Sequence, residues 1–406
     1  MNRVVVTGLG CITPIGNSIA DFQTSLFAGN SGISRIAAVS DAPDGLPGVR
    51  YTQAAQILDF DPVEDLASGV IASTNRNAQF AIIAARQAAR QANLVAHHAP
   101  DDIAIIMGCA CGGRSSEEHE VKGLYTRDAR AHPLTIVRTM ASAGASQISI
   151  DLKITGPALD ISTACSSGTH AIGLAFHMVR SGMVTSAITG GHEAPLSFGF
   201  YRAWDSMRVV SPTRCRPFAA NRDGMTLGEG AAMFAIETLE SAQARNAPIF
   251  AEIVGFGMSA DASHITQPLV EGAATAMRKA IKDAGASPEE VGYINAHGTG
   301  TQANDATEAA AIHQVFGAHG SQIPVSSTKS LHGHSIGATG AIEALATVLG
   351  LKENLLPITA GVTEVDSTLN LDVIIGSPRK TTPKLAISNS LAFGGLNAVL
   401  AFRPFR

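Results

Sequence analysis

One cysteine, Cys165, stands among small and hydroxylated residues in DISTACSSGTHAIGLAF (residues 160–176), directly before an apolar run. That run, AIGLAFHMV (171–179), is too continuous for an amphipathic surface helix and reads as a helix buried on most sides. Cys165 then lies at the amino end of the helix, where unpaired N–H groups and the dipole favour a thiolate. A contribution of roughly 1 kcal/mol would lower the thiol pKa by about one unit, from about 8.5 to about 7.5. The result is a usable nucleophile but not a complete catalyst. Ser166, Ser167 and Gly168 leave space around the sulfur, so that a substrate backbone or thioester can come close. The alternative is a buried cysteine that acts only as a small hydrophobe.

Three further stretches combine reactive groups with glycine-rich loops: INAHGTGTQANDATEA (294–309), SSTKSLHGHSIGATGAIEA (326–344) and SNSLAFGGLNA (388–398). His297 ends a buried strand, where a loop residue faces a cleft. His334 precedes a helix, with Lys329 and Glu343 flanking it.

The elements that must position these groups come from a chain of 406 residues, 45% apolar and 16% charged, with 40 glycines. That length suits two core-forming units or one fused pair, in a soluble globular protein. A net charge of -5 gives no reason to expect nucleic acid as a partner. Five scattered cysteines form neither a disulfide framework nor a zinc pattern, no metal site is expected, and Cys109 and Cys111 read as packing residues. The opening MNRVVVTGLG lacks signal-peptide features and later apolar runs are too short to span a bilayer, so no membrane association and a cytoplasmic location are expected.

A helical pattern at 80–94 leads through Pro100 and an acidic pair into the strand IAIIMG; a second at 273–286 leads through Pro288 and an acidic pair into VGYINAHG. Each half also opens on a strand ending in GxG, VVVTGLG and AEIVGFG. We read a duplicated α/β unit fused near residue 250, with helices between and outside two sheets. The halves are 1–250, carrying the nucleophile, and 251–406, carrying the histidines. Strand ends of both would meet at a central site. GLGCIT lacks the third glycine of a dinucleotide fingerprint and is followed by Pro14, which argues against nucleotide binding.

The motifs RVVVTGLGCITPIGN, TACSSG, RPFAANRDGMTLGEGAA, NAHGTGT and STKSLHGHSIGATGA follow one another in an order that resembles the β-ketoacyl-acyl carrier protein synthases, elongating condensing enzymes of the thiolase superfamily. The resemblance implies a thiolase-like fold, duplicated α/β halves in a layered α-β-α-β-α architecture. It also implies a decarboxylative condensation with malonyl-acyl carrier protein. Cys165 resembles the acyl-accepting nucleophile, and His297 and His334 the pair that holds the malonyl thioester carbonyl. Two imidazole N–H donors aimed at the developing negative charge can each contribute roughly 3 to 4 kcal/mol.

By the same resemblance, backbone N–H groups of Cys165 and Phe393 form an oxyanion hole, and Phe393 gates it. Lys329 and Glu343 match charged residues that support the second histidine; an ion pair that merely orients the loop is the other reading. Thr266, Thr299 and Thr301 align with contacts to the pantetheine arm, or cap turns. Cys111, and Met225 where phenylalanine is usual, fall at the acyl pocket, and the small Cys111 implies that medium or long chains enter. Arg202 and Arg208 are candidates for docking an acidic carrier protein. No cofactor is implied, since substrates arrive on the carrier's arm. The expected assembly is a homodimer, or a heterodimer with a related subunit. Ala219, Met225, Leu396 and Gln267 depart from the usual residues and leave the pathway open between fatty acid and polyketide-type synthesis. The other readings are a non-catalytic chain-length-factor-like subunit, a degradative thiolase, and a cysteine hydrolase.

Overall fold

The computed structural model describes residues 1–37, 39, 42 and 46–406. The first half contributes β1 (Val4–Ile12), α1 (Arg76–Ala92), β2 (Ile103–Gly108), α2 (Ala143–Leu152), β3 (Ala158–Ile161), α3 (Ser167–Ser181), β4 (Ser186–Glu193), α4 (Phe198–Met207) and β5 (Gly230–Thr238). The second contributes β6 (Ala251–Ala260), α5 (Val270–Asp283), β7 (Val291–Asn295), α6 (Gln302–Phe316), β8 (Pro324–Ser326), α7 (Thr339–Glu353), β9 (Asp372–Val373), β10 (Leu385–Ala392) and β11 (Leu396–Arg403).

These strands form one mixed sheet in the order β9-β8-β7-β10-β11-β6-β1-β5-β4-β2-β3. Read outward from the centre, the first half runs β1-β5-β4-β2-β3 and the second β6-β11-β10-β7-β8, with β9 added at the edge. The same topology thus occurs twice. Where two separate sheets were expected, β1 pairs antiparallel with β6, Val4 opposite Ile253, and backbone hydrogen bonds join the halves into one.

The layers nevertheless follow the α-β-α-β-α expectation, because strand side chains alternate between faces. Ile105 and Met107 of β2 pack in an outer core with Phe80 and Ala84 of α1 and Ile148 of α2. Ala104 and Ile106 point the other way, into a central core built on α3 and α7. Met277 of α5 and Ile312 of α6 close the opposite outer core against Ile294 and Val399. The central helices are the two glycine-punctuated apolar runs of the sequence. All residues from Thr339 to Leu351 are buried.

Each GxG has a packing cause. A Cβ at Gly8 or Gly10 would stand 2.1 or 2.0 Å from the carbonyl oxygens of Ala88 and Ala84, so the glycines let α1 lie directly on β1. Gly255 and Gly257 of β6 stand in the same relation to Ala280 and Ala276 of α5. Each central helix is also preceded by a short turn with one non-glycine residue in the left-handed region, Ala164 (φ 51°) and Ile336 (φ 45°). Such positions cost of order 1–3 kcal/mol and persist only where the surroundings over-determine them. Among the described residues, no helix is long and apolar enough to cross a membrane.

Candidate active site

The Ala164 turn lifts Cys165 out of line between β3 and α3, and neighbouring hydroxyls fix it there. The Ser167 hydroxyl accepts from Thr163 N–H at 2.9 Å, and Ser166 donates to the carbonyl of Leu396 at 2.8 Å. Both serines are buried, so they tie the turn down instead of leaving open space as expected. His297 lies two residues beyond β7. Its backbone N–H and that of Gly298 donate to Glu308 of α6, each at 2.8 Å, and Asn389 of β10 donates to the same carboxylate at 3.0 Å. His334 is pinned from the first half of the chain: its N–H donates to Thr226 O at 2.7 Å and its carbonyl accepts from Gly228 N–H at 2.9 Å.

Cys165, His297 and His334 line one cavity, together with Phe393, Met225, Thr266, Thr299 and Thr301. The imidazole rings are 5.6 Å apart between centroids and nearly perpendicular. Their tautomers follow from their partners. Ile336 N–H can only donate, and it does so to His334 Nδ1 at 3.0 Å. Lys329 Nζ donates to His297 Nδ1 at 3.1 Å. With both Nδ1 atoms accepting, each neutral ring carries its proton on Nε2. Burial, with the nearby Lys329 cation second, holds both pKa values well below the ordinary imidazole range. The pair is therefore two neutral N–H donors.

The sequence placed Lys329 and Glu343 beside the second histidine. In the fold Lys329 reaches across to His297, donating also to its carbonyl, and pairs with Glu343. β7 and β8 are parallel neighbours, so the loops that follow them come together although 32 residues separate the two side chains. Burial raises the Glu343 pKa and Lys329 opposes the rise.

Residues 1–242 match the family model of the Beta-ketoacyl synthase N-terminal domain, and residues 250–363 that of its C-terminal domain. The chain belongs to the β-ketoacyl synthase family. It is 40% identical over 403 residues to a nodulation protein E of Rhizobium sp. (strain N33), 99% of either chain. With 3-oxoacyl-(acyl-carrier-protein) synthase 2 of Synechocystis sp. it shares 40% over 414 residues, 100% of this chain and 98% of that one. The solved structure of the ishigamide ketosynthase/chain length factor matches over 100% of both chains with a TM-score of 0.92 and 32% identity. This β-ketoacyl synthase is thus an acyltransferase of condensing type, with the thiolase-like fold.

The Cys165 thiol departs from expectation. Its pKa is pushed up to about 11, not lowered. At 5% exposure the sulfur has lost the water that would solvate a thiolate, and this outweighs the dipole. Lys329 and the backbone N–H groups of Phe393 and Cys165 oppose the rise. The two N–H groups expected at the oxyanion hole therefore both face the sulfur.

Other expected residues divide. Thr299 and Thr301 join hydroxyls at 2.8 Å, and Thr301 also caps α6 by accepting from Asn304 N–H. Thr266 sits on a loop whose carbonyl at Ile265 accepts from Gly394 N–H at 2.7 Å. Cys111 is not on the wall of the cavity; it packs in an adjoining apolar cluster with Phe200, Leu196 and Ile336, its N–H donating to Glu193. Arg202 is exposed but spends one donor on Pro47 O at 2.9 Å, while Arg208 caps α4 and is exposed. Arg216 and Arg222 of the same run are engaged with Asp223 and Asp366.

Sequence reasoning missed three residues. Glu308 and Asp305 clamp the loop that carries His297, Asp305 accepting from Gly300 N–H and Phe218 N–H. The signal was an acid pair three apart, following a glycine turn rich in N–H groups. Glu193, with a pKa raised to about 7 by burial, holds the N–H groups of Ala110, Cys111 and Gly337.

Proposed function

We propose that Cys165 takes an acyl chain from the phosphopantetheine thiol of an acyl carrier protein and that His297 and His334 bind the malonyl thioester as it loses carbon dioxide. In the first step the Cys165 S–C bond forms, the pantetheine S–C bond breaks, and the proton passes from one sulfur to the other. No net base is consumed, so a thiol that is protonated at rest is compatible with the step. In the second, the electron pair of the breaking C–C bond moves onto the thioester oxygen, where the two Nε2–H donors are worth roughly 3–4 kcal/mol each. The resulting enolate carbon attacks the Cys165 thioester, whose oxygen is held by the N–H groups of Cys165 and Phe393. The sulfur leaves, takes a proton, and a 3-oxoacyl chain remains on the carrier.

The observation that carries this reading is the convergence of one sulfur, two backbone N–H groups and two neutral Nε2–H donors on one cavity. The name of the Synechocystis relative supports an acyl carrier protein as partner. Thr266, Thr299 and Thr301 would line the arm, and Arg202 and Arg208 would face the carrier. The ishigamide protein is a ketosynthase/chain length factor, which supports pairing with a related subunit as well as with a second copy. Since this chain retains the thiol and both donors, it takes the catalytic place in either assembly. Beyond the cavity, the acyl chain would enter the cluster around Cys111, so Cys111→Phe shortens the chain accepted.

Mass spectrometry after mixing with acyl-carrier protein tests the assignment. The acyl mass appears on Cys165, disappears on addition of malonyl-carrier protein with release of carbon dioxide, and is absent in Cys165→Ser, which stays folded. A wild-type protein that remains unmodified refutes it.

A further inference from the structure

Trp204 is the single tryptophan of the chain and stands on α4, outside every motif considered above. Its ring stacks on that of Phe393, with centroids 5.9 Å apart and planes 19° from parallel. On another side it meets Phe200 at 5.9 Å. Both members of the stack are half-buried and both line the cavity of Cys165. The backbone of the Phe393 turn is tied at Gly394, which donates to Ile265 O at 2.7 Å, and at Gly395, whose carbonyl accepts from Asp261 N–H at 3.0 Å. Gly394 itself has φ 81°, a left-handed backbone conformation that other residues rarely adopt. Those ties are made by the backbone of the turn, and neither of them restrains the Phe393 side chain. Among the described residues the Trp204 ring is the aromatic surface against which it rests.

We infer that Trp204 is a positioning residue of this synthase, the latch that keeps Phe393 folded over Cys165 until the pantetheine arm enters. The inference rests on the reading above, in which the arm passes Phe393. It adds a reason for the burial of the sulfur: the stack holds the closed rotamer. Because α4 also carries Arg202 and is capped by Arg208, a carrier that docks there touches the helix that bears the latch. A stacked aromatic pair shifts an open–closed ratio by about two- to tenfold.

The test is the rate at which iodoacetamide alkylates each cysteine of the intact protein at one pH, read by peptide mass spectrometry. Trp204→Leu speeds alkylation of Cys165 about two- to tenfold. Trp204→Phe, which keeps a ring in the stack, restores the slow rate, and buried Cys109 and Cys215 react as in the wild type. Phe393→Leu removes the same stack from its other side and gives the same acceleration at Cys165, which covers the case of a Trp204→Leu protein that does not fold. Unchanged Cys165 alkylation in these variants overturns the latch, and so does equal acceleration at Cys109, which reports general loosening. Alkylation needs no carrier, so a protein that never accepts an acyl group defeats the proposed function and leaves this result standing by itself.

Discussion

Replacing Glu308 by glutamine removes a charge and one acceptor while keeping the shape. Three donors converge on its two oxygens: His297 N–H and Asn389 Nδ2 on Oε1, Gly298 N–H on Oε2. An amide can keep its oxygen toward the first two, but its NH2 then faces the Gly298 N–H, leaving a buried donor opposite a donor. Losing that bond and the charge assistance of the others costs about 2–4 kcal/mol of stability. The Gly298 peptide must move away, and it is bonded directly to His297. A displacement near 1 Å at such a group costs about 100-fold in rate. Acylation of Cys165 does not use His297, so Glu308→Gln should acquire its acyl adduct at close to the wild-type rate and release carbon dioxide from malonyl-carrier protein about 100-fold more slowly. Both are read from one quenched-flow series, by adduct mass and by labelled carbon dioxide. An equal fall in the two steps, or unchanged stability in denaturant, refutes the argument that Glu308 acts by placing His297.

The raised thiol pKa makes a signed prediction: the Cys165 thiolate fraction, and with it the alkylation rate, climbs about tenfold per pH unit from about pH 7 to 10. A plateau near pH 8 would show that the dipole prevails after all. Because burial depresses the pKa of both histidines, protonation lies at lower pH, and their ring resonances should not titrate between about pH 6.5 and 8. Titration of either ring resonance within that range would count against neutral donors. Gly8→Ala pushes a methyl into the Ala88 carbonyl at 2.1 Å and should cost about 3 kcal/mol in chemical denaturation, with the same for Gly257→Ala against Ala276. A neutral outcome would mean that α1 can slide off β1 freely.

Cys165, His297 and His334 were legible because each sits in a loop whose composition is unusual, although only His297 follows a buried apolar strand, β7; the strand before Cys165 is partly exposed and the one before His334 is three residues long. The duplication was legible as well, since the helix and strand patterns repeat in order. What could not be read was anything set by a neighbour distant in the chain. Lys329 is five residues from His334, yet its ammonium group goes to His297, since parallel pairing of β7 with β8 decides which loops touch. The dipole at Cys165 could be inferred from an adjoining helix; the desolvation that outweighs it depends on Phe393 and on walls supplied from both halves. Likewise the GxG pairs could be excluded as nucleotide loops, but their use as seats for α1 and α5 required knowing which helix lies across which strand.

A chain built from two copies of one unit inherits two versions of its key corner, and here only one holds sulfur. Beside Ile336, where the first half has Cys165 beside Ala164, the second half has Gly337. A methyl there would sit 2.5 Å from Ala110 N and 2.7 Å from a Glu193 oxygen. That corner is a fastening point for the opposite half, with Gly337 N–H donating to Glu193, so Gly337→Cys could not create a twin nucleophile without breaking that fastening. The halves share one backbone plan, while only one of them has room for a sulfur at this corner.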